Sequence, residues 1–322
     1  MPAFRWASRA GGSGHDYGTG IAVDSEGSTY ICGYFRGTEA RFEEFALAGK
    51  GEADIFLAKY DRAGKLVWVR QIGGAADDYA RGLAIDGEGH IYLTGSFQSP
   101  TLDFGGETIK RNSDSEIFVA KFDPTGKPLW VRQAGGGNGG GGSGNGIAVG
   151  TDGYLYVCGY FIGDIEFGDL TLKNSGFKDI FVARYDLNGE LDWVRQIGGP
   201  GDDAASAITV DAQGNSYVVG GFEDRVRFSK FIALGSAGLS DSFVVKLDNS
   251  GRTVWAQRSG GANNDVAYGV GLDPQGNVIV LGALLFGVFQ HRLGFGAETL
   301  CLVQFGLDLG RTLIEHRGQG AP

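Results

Sequence analysis

The chain is short of methionine, histidine, cysteine and proline, with 1, 4, 3 and 7 of them in 322 residues. Each scarcity excludes something. Collagen-like structure needs far more proline and a glycine at every third position. Cys32, Cys158 and Cys301 are an odd number at wide spacing, with no CxxC and no Cys/His cluster of the kind that holds zinc. The histidines (15, 90, 291 and 316) are isolated, and neither GxSxG nor HExxH occurs, so no catalytic residue is assigned. No run of about 18 apolar residues exists, so no membrane insertion is expected. Basic residues are scattered singly within a net charge of −10, which argues against nucleic acid.

Glycine is abundant instead, at 58 of 322 residues, about 18 % against a usual share of roughly 7 %. Alongside stand 21 Phe, 12 Tyr and 5 Trp, enough large side chains to fill a core. The tryptophans are Trp6, Trp68, Trp130, Trp193 and Trp255, spaced by 62, 62, 63 and 62. Such a period makes the chain a repeat array. Each unit carries four short runs of β type. They are exemplified by GLAID (82–86), YLTGSF (92–97), EIFVAKFD (116–123) and WVRQ (130–133). Two junctions per unit are tight turns of the form DxxG, such as DGEG (86–89) and DPTG (123–126). There Asp bonds the backbone ahead of it and Gly takes the left-handed position that closes a hairpin.

These features predict an all-β protein: a five-bladed β-propeller of four-stranded antiparallel blades, with about 62 residues per repeat. A single domain over 1–322 divides into units of approximately 6–67, 68–129, 130–192, 193–254 and 255–313. Inner, second and third strands occur five times but outer strands six times. Residues 1–10 are assigned as the closing outer strand of the last blade, and 310–318 become surplus. The single glycine of each second strand (Gly33, Gly95, Gly159, Gly220, Gly282) is expected where a neighbouring blade packs closely. Asp54 with Arg70, Glu116 with Arg132 and Asp179 with Arg195, each 16 apart, are expected as cross-strand ion pairs, with Asp241 meeting Gln257 in the fourth unit.

The run WVRQIGG…DDYARGLAIDGEGHIYLTGSF…SEIFVAKFDPTGK resembles the bacterial SBBP β-propeller repeat, and GIAVDSEGSTYICG resembles the inner hairpin of NHL-type propellers. The resemblance covers nearly the whole chain, weakening after about residue 285. The family name denotes seven blades, from which five units depart. The resemblance implies innermost GIAVD-type strands, outermost WVRQ-type strands and an extracytoplasmic or secreted protein. The opening residues show no basic-then-apolar signal segment.

With that strand order both DxxG turns fall on one rim, and the crossovers and variable loops fall on the other, where function is expected. Two explanations compete for the crossover acids Asp16, Asp78, Asp203 and Asp265. A ring of carboxylates suits a hard cation such as calcium. Alternatively each caps its own crossover by accepting N–H bonds, which recurrence in four units favours. No cofactor is assigned. The glycine-rich GGGNGGGGSGNG (135–146) is expected as a flexible rim loop, because it lacks the GK[ST] ending of a phosphate cradle. Tyr17, Tyr79, His15 and Arg81 share the functional rim. Together with the four acids they form the candidate ligand-binding set.

The function expected is non-catalytic binding or scaffolding, with a protein or carbohydrate ligand and a monomeric chain. A carbohydrate-active enzyme with carboxylates at the channel mouth is the alternative, and a trimmed or designed propeller without a selected ligand is a second.

Overall fold

The computed structural model describes residues 6–136, 139–283 and 300–304. Four four-stranded antiparallel sheets follow one another along the chain, each ordered inner, second, third and outer strand. The first blade uses Asp16–Val23, Thr29–Arg36, Ala53–Tyr60 and Leu66–Ile72. The second uses Asp78–Ile85, Ile91–Phe97, Glu116–Phe122 and Pro128–Ala134. The third uses Gly141–Val149, Tyr154–Ile162, Asp179–Asp186 and Leu191–Ile197. The fourth uses Ala204–Val210, Ser216–Arg227, Ala233–Leu247 and Thr253–Ser259. A fifth sheet has three described strands, Val266–Leu272, Val278–Ala283 and Leu300–Gln304. Its last strand lies beside the second in parallel, not antiparallel as in the other units. Residues 310–318 lie outside the described residues.

The DxxG turns form because Asp replaces missing backbone partners. Asp24 Oδ1 accepts from the N–H groups of Glu26 at 3.0 Å and Ser28 at 2.8 Å, and Gly27 takes φ 85°. Asp61, Asp123, Asp186, Asp211 and Asp248 repeat the arrangement. Burial would raise the Asp248 carboxyl, but bonds from Ser250 and Arg252 outweigh it and hold it at about 2.

Every inner strand carries one β-bulge, at Gly18/Gly20, Ala80/Gly82, Gly144/Gly146, Ala205/Ala207 and Ala267/Gly269. A bulge re-aims the strand and frees one side chain. Two of the freed side chains link neighbouring inner strands: Thr19 Oγ1 donates to the Ala80 carbonyl at 2.9 Å, and Asn145 Nδ2 to that of Ala205 at 2.8 Å. The bulge also explains the second-strand glycines, in a different way from the one expected. A Cβ at Gly33 would strike the Tyr17 carbonyl and the Phe56 ring, both within the same blade. Gly95 and Gly159 are confined likewise by Tyr79 with Phe118 and by Ser143 with Phe181. The crowding comes from the blade's own inner and third strands.

The outer strands explain the join between blades. Trp68 of the first blade lies on Gly126 in the turn of the second, Trp130 on Gly189 and Trp193 on Gly251. Trp130 Nε1 donates to the Leu187 carbonyl at 3.1 Å and Trp193 Nε1 to that of Asn249 at 3.2 Å. The outer-strand arginines join this clamp, which corrects the expected ion pairs. Arg70 donates to the Thr125 carbonyl at 2.9 Å, Arg132 to Gly189 at 2.8 Å and Arg195 to Ser250 at 2.8 Å. Register places Arg70 opposite Leu57, three residues from Asp54, so the charges do not meet. In the fourth blade Asp241 pairs with Arg258 at 3.0 Å rather than with Gln257.

Apolar clusters run between successive sheets, one joining Tyr30, Cys32 and Leu57 to Leu93, Phe97 and Phe118. The first blade presents its other face to solvent, with Ile21 67 % exposed where its fourth-blade counterpart Ile208 is 7 % exposed. Ahead of that blade, Trp6 stacks on Tyr60 at 5.9 Å, and Ala10–Gly12 pairs with Glu39–Phe42. The variable stretches add hairpins of their own: Glu39–Phe42 with Phe45–Ala48, Thr101–Asp103 with Thr108–Lys110, and Ile165–Phe167 with Leu170–Leu172.

Candidate functional site

The crossover acids do not converge. Each is held at its own junction between blades. Asp16 Oδ2 accepts from Gly12 N at 2.7 Å, and Asp265 Oδ2 from Gly261 N at 2.6 Å. Asp78, fully buried, accepts from Gly74 N at 2.8 Å and Ser99 Oγ at 2.7 Å. Burial pushes its carboxyl up to about 6 despite these bonds. Asp203 is also fully buried, and burial, followed by the nearby Asp179 carboxylate, pushes it up to about 7.

A second set of buried carboxylates, Asp54, Glu116, Asp179 and Asp241, lies on the third strands, Glu116 and Asp179 at the first residue, Asp54 at the second and Asp241 midway along the longer Ala233–Leu247. Each accepts a backbone N–H from the residue four places earlier, as Asp54 does from Lys50 at 2.7 Å and Asp179 from Ser175 at 2.7 Å. The first glycine of each crossover lies flat against one of them: Gly73 on Asp54, Gly135 on Glu116, Gly198 on Asp179 and Gly260 on Asp241. Among the described residues no group of three His, Cys, Asp or Glu forms a metal site. The glycine-rich stretch differs from its expected loop. From Gly141 it is already the inner strand of the third blade, paired with Ile162 at its start.

What does converge is a set of rings and cations where the first two blades meet. Tyr17 pairs with Tyr34 across the first two strands of blade one, and their rings stack at 5.1 Å and 29°. Tyr79, from the second blade's inner strand, meets Tyr34 edge-on at 4.8 Å. Arg81 sits over two of these rings, 5.1 Å from the Tyr79 centroid and 6.0 Å from that of Tyr34. Arg36 pairs with Asp77 at 3.0 Å and donates to the Tyr79 hydroxyl. Burial, with help from Asp77, raises the Tyr79 phenol above its ordinary value. His15 is exposed on the same rim, and its carbonyl accepts from Arg36 N at 3.1 Å.

Tyr17, Tyr79 and Arg81 are thus brought together, with His15 at the edge; Asp78 shares this junction but is buried against Gly74 N and Ser99 Oγ, while Asp16, Asp203 and Asp265 belong to other crossovers. Tyr34 and Arg36 are not residues that the sequence singles out. Their signal lies in the second strands, where YICGYFR (30–36) aligns with YLTGSFQ (92–98) and YVVGGFE (217–223). Glycine and Phe recur, Tyr34 returns once as Tyr160 in YVCGYFI (156–162), and position 36 differs in each of these units. The third-to-fourth junction holds a reduced version, with Lys178 over Tyr160 at 5.5 Å and paired with Asp202 at 3.2 Å.

The bulge and the tyrosines define a rim platform on a β-propeller. The SBBP β-propeller repeat family model matches residues 5–34, 67–96 and 192–220, so the chain carries SBBP-type repeats at these three stretches. It is 28 % identical over 268 residues to the regulatory protein FlaEY of Caulobacter vibrioides, covering 78 % of this chain and 27 % of that protein. It is 23 % identical over 350 residues to an uncharacterized WD repeat-containing protein of Acanthamoeba polyphaga mimivirus, covering 87 % of this chain and 25 % of that one. The chain thus spans about a quarter of the length of these curated relatives. A solved structure of a protein of unknown function from Bacteroides caccae aligns with a TM-score of 0.33 at 9 % identity, over 76 % of this chain and 82 % of that one.

Proposed function

We propose that the chain is a non-catalytic recognition module, a monomeric five-bladed propeller that binds a glycan or protein ligand on its crossover rim. One observation carries this reading. Tyr17, Tyr34, Tyr79, Arg36 and Arg81 gather at a single junction; Tyr17 and Tyr79 hold equivalent positions of successive units and Tyr34 has a counterpart in Tyr160, but the three rings with two arginines occur together at no other described junction. Architecture recurs in every unit, and a feature present in full once is free to serve a ligand. Aromatic and arginine side chains are also the types that dominate binding surfaces. Repetition and burial support a structural role for the crossover acids: those displaced most, Asp78 and Asp203, are fully buried at repeat-equivalent positions. The matches to a regulatory protein and a WD repeat-containing protein accord with a binding role.

Five blades follow from the five repeats, and Trp6 supports closure of the ring by residues 1–10. It lies on Gly64 as Trp68, Trp130 and Trp193 lie on the turn glycines of the blades after their own. The test is a combined glycan and peptide array probed with the parent chain and with Tyr17→Ala and Tyr79→Ala. Retained binding to the same ligands by both variants would exclude the rim as the recognition surface.

A further inference from the structure

Resting on that reading, the rim cluster also indicates the chemistry of its ligand. The two arginines differ in what they have left to offer. Arg36 is spent on Asp77 and the Tyr79 hydroxyl. Arg81 is exposed and lies over two tyrosine rings, and among the described residues no carboxylate pairs with it. A guanidinium held against aromatic faces keeps its N–H edge free, and that planar fork matches a carboxylate in a bidentate fashion. Tyr17, stacked on the same Tyr34 ring that Arg81 lies over, is 51 % exposed, so a flat ring is held open to solvent.

A cation next to a fixed, flat aromatic face selects a ligand that has a carboxylate beside a broad C–H surface. A pyranose ring has such a surface, and a hexuronic acid carries its carboxylate at the edge of that ring. The net charge of −10 opposes accumulation of a polyanion, leaving a single carboxylate as the group to be recognised. We propose that this rim binds a terminal uronic acid residue of a glycan, with the carboxylate on Arg81 and the sugar ring on Tyr17.

The test is calorimetric titration of the full chain with three probes: a glucuronic-acid-terminated trisaccharide, its glucose-terminated counterpart and a short glutamate-rich peptide. The acidic sugar is expected to bind about tenfold or more tightly than the neutral one. Arg81→Ala should abolish that preference, Arg81→Lys should restore only part of it, and Tyr17→Ala should weaken both sugars. Equal affinity for the two sugars, each lost in Tyr17→Ala, would overturn the carboxylate while leaving the rim site standing. Tighter binding of the peptide would overturn the sugar assignment. Failure of all three probes to bind in a Tyr17-dependent way would overturn this ligand, and the rim reading would then be decided by the array alone.

Discussion

Trp6 lies on Gly64 in the same way that Trp68 lies on Gly126, one full repeat further along. Trp6 thus takes, against the first blade, the place that Trp68 takes against the second, which is the contact the proposed closure of a five-bladed ring by residues 1–10 requires. Two variants test it. Trp6→Ala removes a half-buried ring and should cost about 1–3 kcal/mol, below the range for a fully buried aromatic. Gly64→Ala should cost more than about 1 kcal/mol, because φ is 84° and the new methyl meets the indole. Both are read from denaturant midpoints. Deletion of residues 1–9 should lower the melting temperature further than deletion of 310–322; the reverse order would assign closure to the other end.

The buried acids set a pH dependence. Asp78 and Asp203 titrate near 6 and 7 when folded, against 3.8 when unfolded. The folded chain therefore binds more protons between those values, and stability falls as pH rises from about 4 to about 7. The turn acids act in the opposite sense at lower pH. Asp248, held at about 2, contributes stability that is complete above about 4 and is lost as pH falls toward 2. The melting temperature should accordingly peak near pH 4–5. Asp203→Asn should raise it by roughly 3 °C or more at pH 7.5 and flatten the decline above pH 5.

The crossover glycines can be tested as partners of the third-strand acids. A Cβ at Gly198 would overlap the Asp179 carboxylate, so Gly198→Ala should destabilise by about 2 kcal/mol or more. Combining it with Asp179→Ala opens the space and should recover part of that loss, because the two sites are in contact. Purely additive effects in a double-mutant cycle would show that the close approach carries no strain.

Cys32 and Cys158 are fully buried, and burial pushes the Cys32 thiol up to about 12 and the Cys158 thiol up as well. Neither should react with a thiol reagent at pH 8 until the chain unfolds, because the thiolate is the reactive form. Mass spectrometry of labelled peptides from these two sites, with and without denaturant, provides the check.

Much of this molecule is written at fixed intervals. Trp68, Gly126 and Arg70 recur because each blade must clamp the next, so strand order, both tight turns and the clamp positions can be read from repetition. Repetition also misleads about partners. Asp54 and Arg70 sit 16 apart in the manner of a cross-strand pair, yet the acid turns inward to Lys50 N and the arginine reaches forward to Thr125. The second-strand glycines imply crowding without revealing that a bulge in the blade's own inner strand causes it. The rim cluster was half legible. Tyr17, Tyr79 and Arg81 stand in crossover segments where function is expected, but Tyr34 and Arg36 lie in a strand whose repeated neighbours are structural. Their role depends on the packing of one blade against another, which a one-dimensional alignment of units does not contain.

One rim junction, and not the repeated acids, is proposed to recognise the ligand. Binding of array-identified ligands to the parent chain, Tyr79→Ala and Asp203→Asn tests it most directly. Tyr79→Ala is expected to lose at least about tenfold in affinity while Asp203→Asn binds as the parent does. Retained binding in Tyr79→Ala together with lost binding in a folded Asp203→Asn would contradict it.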